Sequence, residues 1–388
     1  MQLVREAVSA ERWSQARNIL AVRLDNLGDV LMTTPALRAI KESDPRRRIT
    51  LLASEAGAEA ARYVPEIDDV ICYDAAWVKS VWQASSLGGL RCLSQLTEGR
   101  FDAAIVFTVY SQSALPAATM AWLAGIPLRL AHVRENPYQL LTDWVKESEP
   151  DTGIRHEVTR QLDLVAGVGF TTTNDHLSFE VDTGEHMSAM DKLEEAGIDT
   201  GRPYIVVHPG ATAPSRRYPA GQFAQAMRLI AAHVGHQFVV TGGTEERALV
   251  ETVRVHGARG AVGMAGHFSL GELAAVIQRG ALLIANNTGP VHIAAALGTP
   301  VVDLYALTNP QHTPWRVLSR VLFHDVPCKY CYKSVCPEQH HACLREVTPD
   351  AVAHSALELL DTLEQRRDNV LPLPPRHMRP THARGARA

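Results

Sequence analysis

The run "NILAV" (18–22) leads straight into "RLDNLGDVLMTTPALRAIK" (Arg23–Lys41), and that junction decides how the chain is read. The apolar run has the length and composition of a short buried strand. Beyond Gly28-Asp29, apolar residues at Val30, Leu31, Leu37 and Ile40 fall loosely on one helical face. Pro35 is acceptable there if it lies in the first turn. A strand that turns over a glycine into a helix is the unit of parallel α/β sheets. Backbone amides at such a helix start favour anions. Asp29 then has two competing readings. It caps its own helix, or it is a reactive carboxylate aimed into a cleft. A side chain folded onto its own backbone is not free to take a proton.

Outward from this unit the alternation continues. "RITLLAS" (48–54), "VICYD" (70–74) and "FDAAIVF" (101–107) read as strands, and "ALPAATMAWLAGI" (114–126) as a helix. The stretch 170–203 is polar, with one short strand and then a helix, and it contains the link between two domains. After it, "YIVVHPG" (204–210), "QFVVTGG" (237–243), "ALLIANN" (281–287) and "PVVDLYA" (300–306) are strands separated by helical segments. The expected class is α/β with two similar halves facing a cleft, where ligands bind beyond the carboxyl ends of the strands. The expected organisation is an N-terminal extension (1–17), a first domain (18–175), a second domain (176–366) and a disordered Pro/Arg-rich tail (367–388).

Bulk properties fit. A chain of 388 residues with 46 % hydrophobic and 21 % charged residues is ordinary globular material for two domains. The net charge of −4 gives no electrostatic reason to bind nucleic acid. No apolar run reaches the ~20 residues of a membrane span, and the N-terminus lacks a secretory core. The expected compartment is the cytoplasm.

Two further strand-to-helix loops concentrate polar groups. "VHPGATAPSRRYP" (207–219) offers Thr212, Arg216 and Arg217, and guanidinium matches phosphate geometry. "IANNTGPVHIAAALGTP" (284–300) offers Asn286, Asn287, Thr288 and Gly289 ahead of a helix bearing His292, a nest suited to phosphate or sugar hydroxyls. A solvated loop and a packed histidine are the plain alternatives. There is no Walker Lys-Ser and no Gly-x-Gly-x-x-Gly, so neither an ATPase nor a nicotinamide enzyme is favoured.

Taken in order and at their spacing, "RLDNLGDVLMTTPAL", "VHPGATAPSRRYPAGQFA" and "NNTGPVHIAAALGTPVV" resemble the signatures of the ADP-heptose glycosyltransferases, the lipopolysaccharide heptosyltransferases of family 9. The likeness spans about Asn18 to Pro349. It implies a GT-B fold, two Rossmann-like domains facing an interdomain cleft, and inverting transfer from an ADP-sugar with no metal or other cofactor required for catalysis. It makes Asp29 the general base on the acceptor hydroxyl. Arg216 takes the place of a basic residue on the donor diphosphate, Glu245 holds the ribose, Phe268 lies near the adenine, and Thr288, Gly289 and His292 contact phosphate and sugar. Asn287 stands where many members have an acid that accepts from sugar hydroxyls, which leaves the donor sugar open.

On the acceptor side Tyr110, Gln112, Arg129 and Arg134 are the candidates, with Trp77 and Lys79 as further polar or aromatic groups. The acceptor is lipopolysaccharide core or a soluble natural product, and a peripheral membrane contact is compatible with either. Cys328, Cys331, Cys336 and Cys343 have the spacing of a structural zinc site or an iron–sulfur cluster, with reduced thiols or a redox pair as the alternative. The rival functions are a GT-B transferase of another nucleotide sugar and a non-catalytic nucleotide-sugar binder.

Overall fold

The computed structural model of the chain describes residues 10–78 and 85–368. Residues 1–9 of the extension, Lys79, and the tail from 369 onward lie outside the described residues. Among the described residues twelve strands form two six-stranded sheets. The first contains β1 (Asn18–Arg23), β2 (Arg48–Ala53), β3 (Asp69–Cys72), β4 (Ala103–Val106), β5 (Leu128–Val133) and β6 (Asp143–Lys146). The second contains β7 (Tyr204–His208), β8 (Gln237–Gly242), β9 (Val262–Ala265), β10 (Leu282–Asn286), β11 (Val301–Leu304) and β12 (Ser319–Leu322). Their orders are β3-β2-β1-β4-β5-β6 and β12-β11-β10-β7-β8-β9, the same winding twice.

Every ladder is parallel. Ala21 lies between Leu51 and Ile105, and Val206 between Val239 and Leu283. Strands covered by helices on both faces should read as continuous apolar runs, and β1, β4, β7 and β10 do. Strands β5, β6, β9 and β12 were not anticipated. Three of them have only four residues, and "PLRLAHV" alternates Arg and His with apolar residues, which masked β5. The short strand expected inside 170–203 is irregular chain.

The helices in chain order are α1 (Leu27–Ser43), α2 (Glu55–Ala61), α3 (Ser86–Glu98), α4 (Leu115–Leu123), α5 (Glu157–Ala166), α6 (Thr183–Glu195), α7 (Ala220–Ala231), α8 (Arg247–His256), α9 (Leu270–Arg279), α10 (Gly289–Leu297), α11 (Ala342–Arg345) and α12 (Pro349–Asp368). Among the described residues no helix is long and apolar enough to cross a membrane. Helix α12 runs past the expected boundary at 366, and α6 packs on α9 in the second half.

Helix α1 starts at Leu27, so Pro35 sits in its third turn rather than its first. A proline there removes the amide that would bond the Leu31 carbonyl. The Thr34 hydroxyl donates to that carbonyl instead, at 2.7 Å, and the helix continues. The extension is also partly structural. Trp13 is fully buried, meets Phe170 edge-on at 6.2 Å and donates to Asp143 on β6.

In each sheet the strand order reverses beside the first strand, between β1 and β4 and between β7 and β10. Open parallel sheets leave a crevice beyond the carboxyl ends at such a point. The N-termini of α1 and α10 stand at these two places and meet. A methyl group on Gly28 would come within 2.5 Å of the His292 ring, and one on Gly289 within 3.1 Å of Leu27. The absence of both side chains is what lets the halves approach.

Candidate functional site

Strand β1 ends in Arg23, whose side chain is fully buried. Its Nη1 donates to Glu157 Oε1 on α5 (2.8 Å) and its Nη2 to Asp29 Oδ1 (3.0 Å), while Nε lies 3.1 Å from Asp25 Oδ2. One guanidinium thus serves three carboxylates. An arginine stays protonated in such surroundings and its planar fork suits several partners.

Asp29 is the third residue of α1. Its Oδ2 accepts the backbone N–H of Asn26 at 3.1 Å, so it does close the helix start. Its Oδ1 faces Arg23 and, across the domain gap, His312 Nε2 at 3.9 Å. The two readings of Asp29 therefore coexist on its two oxygens. Burial raises its pKa, but Arg23, His312 and the Asn26 amide outweigh this and hold it below the usual carboxylate range.

Asp25 is a second acid that the sequence reading passed over. Gln112 donates to its Oδ1 at 2.6 Å. Burial first, then the charges of Asp29 and Glu157, push it up to about 6 against the pull of Arg23 and Gln112. Glu157 and His312 were also missed. An arginine closing an apolar strand, two residues before an acid, was the available signal for the first part of this cluster.

The second half contributes His292 and His312, and His156 at the start of α5 in the first half stands beside them. His292 is pushed down to about 3 by burial, with His312 adding to it. His312 is lowered by burial too, against the pull of Asp29. Its Nδ1 is 3.4 Å from Asn309 Nδ2, its backbone N–H donates to Tyr305 Oη, and its carbonyl accepts from Asn287. His156 stacks on Trp315 at 4.4 Å and is lowered to about 4, chiefly by burial.

Asn287 turns its amide nitrogen inward. It is buried, and its amide donates to Asp303 Oδ2 and to the His312 carbonyl, both at 2.9 Å. These two bonds account for the residue type. Only an amide can donate to both acceptors, and a second carboxylate beside buried Asp303 would have no counter-charge. Thr288 occupies the N-cap of α10, with its hydroxyl on the Asn286 carbonyl, and Gly289 opens the helix. Pro at the second position leaves the remaining first-turn amides for an anion.

Thr212 is exposed. Arg217 is exposed with its Nε on the Ala211 carbonyl at 2.7 Å, which turns it from the cleft centre. The Arg216 guanidinium is half-buried and makes no hydrogen bond or ion pair among the described residues. Its charge is felt at His292, Asp303, Tyr305 and His312. Glu245 is exposed on the turn after β8, and Phe268 is half-buried after β9. Those two loops touch, for a Cβ on Gly266 (φ +72°) would lie 2.7 Å from the Thr244 hydroxyl.

Of the acceptor candidates, Gln112 is in the cleft on Asp25. Tyr110 is buried and its hydroxyl donates to that of Tyr332 in the other half. Arg134 lies over the Tyr110 ring at 5.8 Å and donates to the Glu149 carbonyl. Arg129 is a correction. It sits near the start of β5, away from the carboxyl edge, and its guanidinium caps the carbonyls of Ile126, Gln139 and Leu140. Trp77 is 39 % exposed and lines a cavity of about 290 Å³ with Asp25 and Gln112.

The cysteines are all reduced. Cys343 is raised by burial and by the nearby thiols of Cys336, Cys328 and Cys331, and Cys328 lies 3.6 Å from His340. Among the described residues no three His, Cys, Asp or Glu side chains are grouped so as to hold a metal ion. Their segment also braces the neighbouring turn. Ser215 donates its backbone N–H to Ser334 and its hydroxyl to Lys333, which ties the Arg216 turn to it.

The family profile of glycosyltransferase family 9 (heptosyltransferase) matches residues 90–342. The lipopolysaccharide heptosyltransferase 1 of Pseudomonas aeruginosa is 26 % identical over 325 residues, covering 83 % of this chain and 88 % of that protein. The lipopolysaccharide heptosyltransferase 2 of Escherichia coli is 26 % identical over 367 residues, covering 88 % and 98 %. The crystal structure of a family 9 glycosyl transferase from Veillonella parvula superposes with a TM-score of 0.76 at 25 % identity, covering 89 % and 98 %.

Proposed function

Because the chain belongs to glycosyltransferase family 9, a GT-B family, we propose that it moves a heptose, with inversion, from an ADP-sugar to an acceptor hydroxyl in the cleft between its halves. The observation that carries this reading is the Arg216 guanidinium, unpaired among the described residues, which shares His292 and His312 as neighbours with Asp29. Such a cation beside the N-terminus of α10 suits the diphosphate of the leaving nucleotide. Glu245 and Phe268, on touching loops at the same sheet edge, suit the ribose and adenine.

The chemistry asked of the chain is modest. The acceptor oxygen attacks the anomeric carbon, the bond to the diphosphate breaks, and the hydroxyl proton goes to a carboxylate. Asp29 takes that role in this reading. Its depressed pKa means the proton moves only as the new bond forms, because an ordinary sugar hydroxyl is far less acidic than any carboxyl. Charge developing on ADP falls to Arg216 and the α10 amides, so no metal or other cofactor is part of the scheme. The cytoplasm is its proposed compartment.

Calorimetric titration tests the nucleotide assignment. ADP should bind, and ADP-heptose should outcompete GDP-, UDP- and dTDP-sugars. Arg216→Ala should weaken ADP binding about tenfold or more and also slow turnover. Asp29→Asn should lower turnover by roughly 10²–10⁴-fold with ADP affinity kept. If ADP fails to compete with the true donor, or Asp29→Asn turns over normally, the reading is wrong.

A further inference from the structure

His312 lies in the loop that follows β11 and is 9 % exposed. Its Nε2 is buried and has no hydrogen-bond partner among the described residues. Across the domain gap that atom lies 3.9 Å from Asp29 Oδ1. The separation is too long for a hydrogen bond. A buried polar nitrogen left in that state costs free energy, and folded chains rarely keep one that no ligand or water ever meets.

The neighbours fix the tautomer. The Tyr305 hydroxyl lies 3.1 Å from Asn309 Oδ1, so Asn309 turns its NH₂ toward His312 Nδ1, at 3.4 Å. A ring nitrogen that faces an NH₂ accepts, and the single proton of a neutral imidazole then sits on Nε2. Burial favours the neutral ring against the pull of Asp29. His312 therefore points an N–H, not a lone pair, toward Asp29 Oδ1.

Both halves hold it there. Glu157 donates its backbone N–H to the Gln311 carbonyl at 3.0 Å, and His156 Nε2 donates to the Thr313 carbonyl at 2.9 Å. The start of α5 thus grips the residues on either side of His312. The Glu157 carboxylate also holds Arg23, and Arg23 holds Asp29. From the second half Asn287 donates to the His312 carbonyl, and the Tyr305 hydroxyl accepts its backbone N–H. One helix start therefore sets the positions of both Asp29 and His312.

The gap suits one oxygen. An atom at an ordinary hydrogen-bond distance of about 2.8 Å from each group fits over a separation of 3.9 Å. The two side chains keep 11 % and 13 % exposure, so a hydroxyl has a way in. A hydroxyl has one proton and two lone pairs. Its proton goes to Asp29 Oδ1, which has a lone pair left beside its bond to Arg23. One lone pair takes the His312 N–H. Only the other lone pair is then free, and its direction is fixed.

We propose that His312 is a second catalytic residue, which donates its Nε2–H to the acceptor oxygen while Asp29 takes that oxygen's proton, and so aims the remaining lone pair at the anomeric carbon. This goes beyond the transferase reading given above and rests on it. In the step the O–H bond breaks toward Asp29 Oδ1 and the new C–O bond forms. The bond from the anomeric carbon to the diphosphate breaks, and its electron pair leaves with ADP. His312 keeps its proton throughout, and its contribution is orientation of the nucleophile.

The test compares His312→Gln, whose amide can donate from a similar place, with His312→Phe, which keeps a ring and has no donor. The readout is ADP release from ADP-heptose by the full chain, with water or heptose-free lipopolysaccharide core as the acceptor. His312→Phe should lower kcat about tenfold or more, with the ADP Kd kept within about twofold. His312→Gln should turn over about fivefold or more faster than His312→Phe, a rescue that a packing role would not give. Nitrogen NMR of the imidazoles at neutral pH should show His312 as the neutral Nε2–H tautomer. Normal turnover in His312→Phe, a Gln variant as slow as the Phe variant, or an Nδ1–H tautomer would overturn the proposal. A wild-type chain that neither binds ADP nor releases it from ADP-heptose would instead sink the transferase reading, and the tautomer would still be readable by NMR.

Discussion

Single side chains decide much of this site. Asp25 has a folded pKa of about 6 against an ordinary 3.8. The folded chain thus keeps a proton that the unfolded chain releases between those values. The resulting stabilisation is complete below about pH 4 and is lost as pH rises through 6. Buried His156 and His292, both lowered, act with the opposite slope, so only a difference isolates Asp25. The stability of the wild type minus that of Asp25→Asn should grow by about 1–3 kcal/mol from pH 7 to pH 4 in urea titrations. Asn287 makes a sharper case. Asn287→Asp forfeits two buried donations and places an acid beside Asp303, whose burial already lifts it to about 8. A loss of about 2–4 kcal/mol is expected, and Asp303→Asn in the same chain should recover part of it by supplying the donor from the other side. Failure of that recovery would show that the His312 carbonyl bond is what matters.

At the scale of elements, the meeting of α1 and α10 is the joint that gathers the site. Gly28 is needed there for space, because a Cβ would collide with the His292 ring. Gly28→Ala should leave the urea midpoint nearly unchanged, yet lower turnover tenfold or more. His292→Ala added to it should restore part of that loss, a coupling readable in a double-mutant cycle. The turns that hold these groups were legible in the sequence, since an apolar run broken by glycine and followed by a polar or acidic residue has few other foldings. The long central strands were legible for the same reason. Strands β6, β9 and β12 were not, for their four residues mix polar and small types, whereas β3 and β4, equally short, stood out by their apolar runs. Arg129 misled because a guanidinium reads the same whether it grips a ligand or caps carbonyls. Asp25 and His312 were missed because their roles arise from neighbours 87 and 283 positions away, Gln112 and Asp29, which no local pattern records.

For the whole molecule, two copies of one winding share an apolar cluster in which Leu31, Met32, Val64 and Val158 of the first half pack with the second, and specific polar contacts flank it. Tyr110 in the first half donates to Tyr332 in the second, and Tyr332 belongs to the cysteine segment whose carbonyls at 333 and 334 receive Ser215 next to Arg216. The segment is therefore shared property of both halves. Tyr332→Phe removes one interdomain bond without changing shape. It should weaken the response of acceptor binding to ADP several-fold while leaving ADP affinity itself within about twofold, as paired titrations would read. Loss of both affinities together would point to a purely local packing role. The thiols on the same strap are half-exposed, so the chain has an inbuilt reporter. The rate at which a maleimide labels Cys331 should fall when nucleotide is added, giving a chemical clock for cleft closure that needs no acceptor and no turnover.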